Sequence, residues 1–463
     1  MEFLKATIDL FFQFKAYVML PIIIFIIAII IRMPIKKAFL SVLKIGTGFA
    51  GIFIAFDFFV SNINPAVKAL MIMRNIDLPI LDVGWPPLAA ITWASPIAHL
   101  SIPLIIIINV LMLTLNLTRT IYLDIWNYWH FAMLGALVLN ASDSIILALI
   151  ATALIAVYTI KMSDWAAPAV KREMDLDGIT ISPLSSVGLL PYAQFLDAIF
   201  DRIPFIKKLN YNPQKSDKEA SILSEPMVIG ALVGLLLGVL AKYPVKETLE
   251  LCVHIAAVMF ILPQCGALIG KGMGDVSLTL RKAVQNRFPH KDNLLVALDS
   301  GILMHNKSIL TSGIILMPIA IFLALIVKGN KTLPLGDLVA LISQVSVMVL
   351  IFRGNVFRTI LGGIPLVISY LLISTHLAPL ITRLSKEVGT VMIDNTLITS
   401  LTDGGNPIRF WVLQMFKGNL IAFLLIPLFI IMLIISYRRY KQECLSTSST
   451  PYIAGKNAQS DKD

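Results

Sequence analysis

The chain has 463 residues, of which 57% are apolar and only 14% are charged. Soluble domains carry about 25% charged residues, so this composition excludes a soluble enzyme, a coiled coil, a secreted disulfide scaffold and a disordered chain. The net charge of +10 does not indicate nucleic-acid binding, because cytoplasmic loops of membrane proteins collect Lys and Arg. The three cysteines lack metal-ligand spacing, and we expect no metal and no cofactor.

Long uncharged runs predict about eleven transmembrane helices in an all-α polytopic protein of the lipid bilayer. The expected spans are residues 16–31, 45–60, 102–117, 129–139, 145–160, 226–241, 249–269, 308–327, 338–352, 361–380 and 411–436. Residues 161–225 read as an amphipathic linker at the cytoplasmic interface. Residues 437–463 are polar enough to predict a disordered cytoplasmic tail.

Basic residues orient these spans, because positively charged loops stay in the cytoplasm. Clusters of Lys and Arg follow the first, fifth, seventh and last spans. All four clusters lie inside if the N-terminus is outside and the C-terminus is cytoplasmic. Four lysines fall on the outer side in this arrangement, namely Lys242, Lys246, Lys328 and Lys331.

The two groups of five spans each lead to an aspartate that opens a short, broken hydrophobic segment, LDVGWPPLAAITWASP and LDSGILMHNKS. Asp82 and Asp299 stand 217 positions apart, and this offset also aligns most spans of the two groups. An odd number of spans per group inverts the second copy, as in many secondary transporters. The alternative is a coincidence of spacing. The predicted units are inverted repeats 1–160 and 226–385, re-entrant hairpins near 83–104 and 298–308, and a loop with the last span at 386–436.

The first hairpin contains five prolines and glycines among apolar residues. Irregular backbone at membrane depth is tolerated only beside protein or a water-filled cavity. Its predicted tip, with Ala94 between Trp93 and Ser95, offers an indole and a hydroxyl that suit a polyhydroxylated ligand. A surface loop kinked by prolines is the alternative.

The motif DIWNYWH, which ends at His130, precedes an apolar run. Ionisable groups at membrane depth usually face a cavity or a partner, and imidazole both donates and accepts hydrogen bonds. We therefore expect His130 in the substrate pocket, while the neighbouring aromatic residues are equally typical of an interfacial belt.

The second half offers a carboxylate, an imidazole and an amide in one segment, Asp299, His305 and Asn306. A solvated loop is the alternative there. Glu225, just before Pro226, is a further candidate, although a helix cap explains it equally well. No catalytic residue is expected. The predicted substrate-binding residues are Trp93, Ser95, His130, Glu225, Asp299, His305 and Asn306.

Taken together, the motifs DVGWP, TWAS, DIWNYWH, the EP before the sixth span, LPLGDL and GNVFRT resemble the galactitol-type C component of enzyme II of the bacterial phosphoenolpyruvate-dependent sugar phosphotransferase system. The similarity runs over about residues 16–439. It implies a relation to the ascorbate permease of the same system, a homodimer in the bacterial cytoplasmic membrane, and an elevator-type scaffold with a mobile transport core.

The resemblance also implies group translocation, in which the chain carries a polyol and presents it to a phosphocysteine on a separate B component. The partners are then the soluble A and B components, and no phosphate-carrying residue is expected on this chain. Lys307 is the only basic residue near the proposed site, which favours a neutral polyol over a charged ligand.

Two other functions remain open from the sequence. One is a cation-coupled secondary transporter of a polyol or small organic anion, with ion sites at Asp57, Asp143 or Asp299. The other is an intramembrane enzyme that pairs His130 or His305 with a carboxylate.

Overall fold

The computed structural model describes residues 16–74, 78–93, 95–215, 225–287, 294–388 and 397–448. The helices are α1 (Ala16–Ile30), α2 (Ile35–Arg74), α3 (Trp85–Trp93), α4 (Pro96–Thr114), α5 (Trp129–Ser142), α6 (Ile145–Met174), α7 (Leu184–Val187), α8 (Leu190–Phe200), α9 (Pro204–Lys208), α10 (Pro226–Leu240), α11 (Val245–Arg287), α12 (Lys307–Ile326), α13 (Ala340–Ile351), α14 (Val356–Val388), α15 (Pro407–Phe416), α16 (Leu420–Leu424) and α17 (Ile426–Ser448). The strands are β1 (Ile80–Asp82), β2 (Thr120–Ile121), β3 (Ile179–Ile181), β4 (Leu295–Leu298), β5 (Thr332–Leu333) and β6 (Ile398–Thr399).

The six strands form two small parallel sheets between the helices. The first sheet has the order β5-β1-β6, with Ile80 opposite Thr332 and Leu81 opposite Ile398. The second has the order β2-β4-β3, with Ile121 opposite Val296. A strand from one half of the chain is therefore always paired with two strands from the other half. All four residues of β4 are buried, as expected for a strand covered on both faces.

Five helices in the described residues are long and apolar enough to cross a membrane, which makes the chain a multi-pass membrane protein. They cover Pro96–Thr114, Ile145–Met174, Lys307–Ile326, Val356–Glu387 and Leu420–Leu445. The prediction of a polytopic helical protein is thereby confirmed, whereas the count of eleven spans stays a prediction.

The longest helices, α2 and α11, pack along each other. Helix α1 packs against α2, and α10 packs against α11. Small residues allow the close approach of α10 to α11, because a methyl group at Gly230 or Gly234 would lie 2.6 Å from the backbone of Ala256 or Cys252. Such small-residue contacts are the usual way in which helices pack closely within membranes. Asp275 on α11 accepts Lys44 at 3.2 Å, which ties the two long helices together.

The end of the chain differs from its prediction. Gly418 has a φ of +72°, and the Asn419 side chain caps the next helix by accepting the Ile421 N–H at 2.9 Å. These residues break the run predicted as 411–436, so the last spanning segment begins at Leu420. Helix α17 continues to Ser448, so residues 437–448 are helical where a disordered tail was predicted, and 449–463 lie outside the described residues.

The connection predicted as a linker over 161–225 is built into the fold. Its first residues continue α6, and β3 then joins the second sheet. Leu190, Ala193 and Phe200 on α8 are buried against the core. Residues 216–224 lie outside the described residues.

The two segments predicted as hairpins take different forms. In the first, α3 ends at Trp93 and α4 begins at Pro96, while the predicted tip residue Ala94 lies outside the described residues. In the second, Asp299 opens a short 3-10 turn, Ser300–Leu303, and Asn306 caps α12.

Candidate substrate-binding site

The second sheet delivers polar side chains to one place, because the carboxyl ends of its parallel strands share an edge. Asp299 follows β4, Ser182 follows β3, and Asp124 follows β2 by three residues. Asp299 is half-buried. Its Oδ1 accepts the Gly301 N–H at 2.7 Å, and its Oδ2 accepts the Asn127 amide at 3.0 Å.

Asn127 bridges the two carboxylates of this edge. Its Nδ2 also donates to Asp124 Oδ2 at 2.6 Å, and the Ser182 hydroxyl donates to the same oxygen at 2.5 Å. Asp124 lies in a connection outside the spanning helices. Burial, and then the charge of Asp299, raises the pKa of the Asp124 carboxyl. We call Asp299, Asn127, Asp124 and Ser182 the open cluster.

Three tryptophans pack together, and one of them, Trp126, immediately precedes Asn127 of the open cluster. The Trp126 ring lies 6.3 Å from the ring of Trp85 and 6.3 Å from that of Trp93, measured between centroids. The Trp93 indole Nε1 is buried without a hydrogen-bond partner in the described structure. A group of indoles of this kind provides an apolar face, and an unused donor, for a ligand with both carbon and hydroxyl surfaces.

His130 belongs to a second, ionic group only three residues from Asn127. Its Nδ1 lies 3.2 Å from Asp403 Oδ1 and 3.2 Å from Arg409 Nη2. Arg409 is 1% exposed, and its Nε donates to the His130 carbonyl at 3.3 Å. The Trp129 ring stacks on the imidazole at 4.1 Å. The DIWNYWH motif thus connects the open cluster to a buried histidine.

Two further buried donors adjoin this ionic group without partners in the described structure, Trp129 Nε1 and Asn406 Nδ2. A buried donor without an acceptor costs about 1–3 kcal/mol. A ligand that brings hydroxyl oxygens removes this cost, which is a reason to look for a polyhydroxylated molecule here.

The first sheet carries a matching set of side chains, which we call the closed cluster, namely Asp82, Asp337, Ser400 and Thr402. Asp82 is 2% exposed and accepts the backbone N–H groups of Gly84, Leu401 and Asp337 at 3.0 to 3.1 Å.

Asp337 in the closed cluster accepts the Trp85 N–H at 2.7 Å, the Thr402 N–H at 3.1 Å and the Thr402 hydroxyl at 3.0 Å, and the Ser400 hydroxyl donates to it as well. Burial raises the pKa of both Asp82 and Asp337, and the charge of Asp337 raises that of Asp82 further. These carboxyl groups hold strands and turns together and have little capacity left for a ligand.

The structure brings some predicted site residues together and separates others. His130 ends the DIWNYWH segment, Trp93 packs against Trp126 of that segment, and Asp299 accepts the amide of its Asn127. The Ser95 hydroxyl donates to the Thr92 carbonyl at 2.7 Å and so closes a turn.

Glu225 is exposed at the start of α10, and His305 is exposed between the 3-10 turn and α12. Asn306 caps α12 by accepting the Ser308 N–H at 2.9 Å and the Ile309 N–H at 3.2 Å.

The predicted site did not include five residues of this region, namely Asp124, Asn127, Ser182, Asp403 and Arg409. Asp403 was expected in a turn that connects helices. A signal for two of them was present. Asp124 and Asp337 stand 213 positions apart, and Ser182 and Ser400 stand 218 apart, close to the offset of the hairpin aspartates. Within the described residues no group of three or more His, Cys, Asp or Glu side chains is arranged to hold a metal ion.

Long apolar helices around a buried polar site, placed where helices are broken, define a multi-pass membrane protein that accommodates a polar solute. The family model of the sugar-specific permease component of the phosphotransferase system, EIIC-GAT, matches residues 10–396. The chain belongs to this family, and the resemblance inferred from the motifs is confirmed.

Two relatives illustrate the similarity. The galactitol-specific EIIC component of the phosphotransferase system of Escherichia coli (strain K12) is 33% identical over 410 residues, which cover 88% of this chain and 90% of the relative. A putative permease IIC component of the same strain is 30% identical over 405 residues, which cover 88% of this chain and 92% of that relative.

Proposed function

We propose that the chain carries a sugar alcohol of the galactitol type across the membrane and presents it for phosphorylation by a separate soluble component. The observation that carries this proposal is the open cluster. Asp299 is half-buried and has unused acceptor capacity. It accepts the amide of Asn127, whose neighbour Trp126 packs with two more tryptophans, and one of these has an unpaired buried indole N–H in the described structure. The name of the galactitol-specific relative supports the choice of polyol.

The charges near the open cluster favour a neutral ligand. Arg409 is already engaged by Asp403 and His130, and Lys307 is exposed. Arg409 is therefore not free to neutralise a carboxylate ligand at Asp299. Hydroxyl groups donate to Asp299 and accept from Trp93, which is the complementarity that a hexitol provides.

Group translocation then ends with the transfer of a phosphoryl group from a cysteine sulfur to a polyol oxygen. The S–P bond of a phosphocysteine on the B component breaks, and an O–P bond to a polyol hydroxyl forms. The hydroxyl proton is released and the cysteine is left as a thiol. This chain binds and orients the polyol, while the phosphoryl group comes from the partner.

An internal duplication accounts for the reciprocal pairing of strands. Each of the two repeated units contributes the central strand of one sheet and the two outer strands of the other. Each sheet therefore combines strands of both units. The two units extend beyond residues 160 and 385, because β3 with Ser182 corresponds to β6 with Ser400. Inversion of the second unit relative to the first follows from the odd number of spans predicted in each.

The long helices α2 and α11 form a scaffold in this proposal, and the two sheets with their helices form the transport core. Exposed apolar side chains along the scaffold, such as Ile54 and Val253, suit lipid or a second copy of the chain. The proposed assembly is a homodimer of scaffolds with elevator-like movement of the core. The clusters of Lys and Arg support an orientation with the N-terminus outside and the cation-rich connections in the cytoplasm.

Uptake of labelled galactitol into vesicles that contain the purified chain tests this function. The expected product inside is phosphorylated galactitol, formed only when phosphoenolpyruvate and the soluble components are supplied. Accumulation of unmodified galactitol that depends on a proton or sodium gradient contradicts the proposal and makes the chain a secondary transporter.

A further inference from the structure

A polar cavity of about 900 Å³ lies apart from the open cluster. Its walls come from α8, from the segment after α9, from the turn between α13 and α14, and from α17. That turn is the GNVFRT motif, in which Gly354 has a φ of +76°. The residues of this cavity take no part in polyol binding at the open cluster.

Four of the seven charged side chains in the cavity wall balance one another. Arg358 pairs with Asp197 and with Asp201, the latter at 2.9 Å, and Arg439 pairs with the same two carboxylates. Arg353 and Lys207 also line the cavity. These two side chains are exposed and form no ion pair within the part of the chain that the structure describes. The remaining carboxylate of the wall, Glu443, pairs with Arg172. The cavity therefore presents surplus positive charge.

Two polar atoms of the wall are buried without hydrogen-bond partners in the described structure, Arg358 Nε and Gln194 Oε1. Gln194 is 2% exposed. One of these atoms is a donor and the other is an acceptor, so a ligand that satisfies both must bring an acceptor oxygen and an N–H or O–H group. A phosphate-bearing stretch of polypeptide offers both, because phosphate oxygens accept hydrogen bonds and backbone N–H groups donate them.

The cavity is also linked to the open cluster by a short stretch of chain. The Ser308 hydroxyl donates to Asn212 Oδ1 at 2.9 Å, and the Lys307 N–H donates to Gln214 Oε1 at 3.0 Å. Asn212 lines the cavity. Ser308 lies nine positions after Asp299, so the two residues are at most about 30 Å apart. A molecule docked in the cavity is therefore near the segment that holds Asp299.

We propose that this cavity is the docking site of the soluble partner that carries the phosphoryl group, with Arg353 and Lys207 facing its phosphate-bearing loop. The inference rests on the proposed function, because it names the surface at which the partner of that function binds. Two paired arginines shape the wall, and two unpaired cations attract the partner.

Charge reversal at the two free cations tests the docking site. The variant combines Lys207→Glu with Arg353→Glu in the full chain, reconstituted in lipid nanodiscs. The matched control combines Lys328→Glu with Lys331→Glu, two exposed lysines outside the cavity. The probe is the phosphorylated B component that supports galactitol phosphorylation by the unaltered chain.

We expect the cavity variant to bind the phosphorylated B component at least about tenfold more weakly, as for facing charges at an interface, and the control variant to bind it normally. Galactitol affinity should be unchanged in both variants. Normal B-component affinity in the cavity variant, or an equal loss in the control, overturns the docking site.

Two further outcomes distinguish a failure of the docking site from a failure of the proposed function. If the cavity variant loses only its association with anionic phospholipid vesicles, the cavity binds lipid headgroups and the docking proposal is overturned. If the unaltered chain binds no galactitol, the proposed function fails, and this result is visible before any cavity variant is made.

Discussion

The open and closed clusters use the same kinds of residue for different purposes. Each has two aspartates and a serine at the carboxyl edge of a small parallel sheet. In the closed cluster, Asp82 accepts three backbone N–H groups. In the open cluster, Asp299 accepts only one backbone N–H and one side-chain amide. The same carboxylate is thus structural where backbone donors saturate it, and available to a ligand where they do not.

Segments from the other half of the chain explain this difference. Each aspartate accepts the N–H of the glycine two residues further on, Gly84 or Gly301. Asp82 also accepts the N–H groups of Asp337 and Leu401, which lie more than 250 positions away in the chain. The packing of distant segments, and not the identity of the aspartate, therefore decides which carboxylate has acceptor capacity left.

The largest effect is expected from Asp82→Ala. This change leaves three buried N–H groups without acceptors, and each costs about 1–3 kcal/mol, so unfolding should become easier by about 3 kcal/mol or more. Thermal unfolding of the purified protein in detergent measures it. Asp177→Ala, at an exposed aspartate paired with Lys171, is the control and should change stability little. A stable Asp82→Ala protein that fails to bind polyol would make Asp82 a ligand residue.

Asp299→Ala should act on binding and leave the fold intact. Loss of hydrogen bonds to a charged acceptor costs about 1.5–3 kcal/mol, which corresponds to about 10- to 150-fold weaker galactitol binding. Equilibrium binding to the purified chain measures this loss, and thermal unfolding confirms that the variant is folded. Galactitol affinity equal to that of the unaltered chain removes Asp299 from the site.

Asn127→Ala should give a smaller and mixed effect. The change removes the amide that joins Asp124 to Asp299, so the unfolding free energy should fall by about 1–2 kcal/mol and galactitol should bind about tenfold more weakly. The control is Asn62→Ala, whose side chain bonds only locally to the Phe58 carbonyl among the described contacts. Unaltered galactitol binding in Asn127→Ala would show that the amide has no role in orienting Asp299.

Trp93→Phe should give the smallest effect. The ring contact with Trp126 is retained, but the unpaired indole N–H is removed, so stability should hold and galactitol affinity should fall about three- to tenfold. Trp165→Phe is the matched change at a ring that packs on Tyr437 outside the site. An equal loss in both variants would contradict a direct contact between the Trp93 indole and the polyol.

Much of the helical architecture could be predicted from the sequence, because a long uncharged apolar run is typical of a membrane-spanning helix. The strands could not, since segments of two to four buried residues carry no periodicity that separates them from helix. Their pairing joins residues that are far apart in the chain, such as Ile80 with Thr332.

The candidate site could be predicted only in part from the sequence. Asp299, His130 and Trp93 could be picked because polar or aromatic residues in apolar, broken segments are unusual. The partners of His130 could not, because Arg409 lies 279 positions away. An asparagine at position 306 is equally typical of a ligand-binding residue and of a helix cap. Only the position of the first turn of α12 shows that Asn306 is a cap.

A structure of the full chain with galactitol bound tests the central claim most directly. The account predicts polyol hydroxyl groups within about 3 Å of Asp299 and of the Trp93 indole nitrogen, with the closed cluster unchanged. Galactitol bound at the closed cluster, or at any place that leaves Asp299 without a new contact, would contradict it.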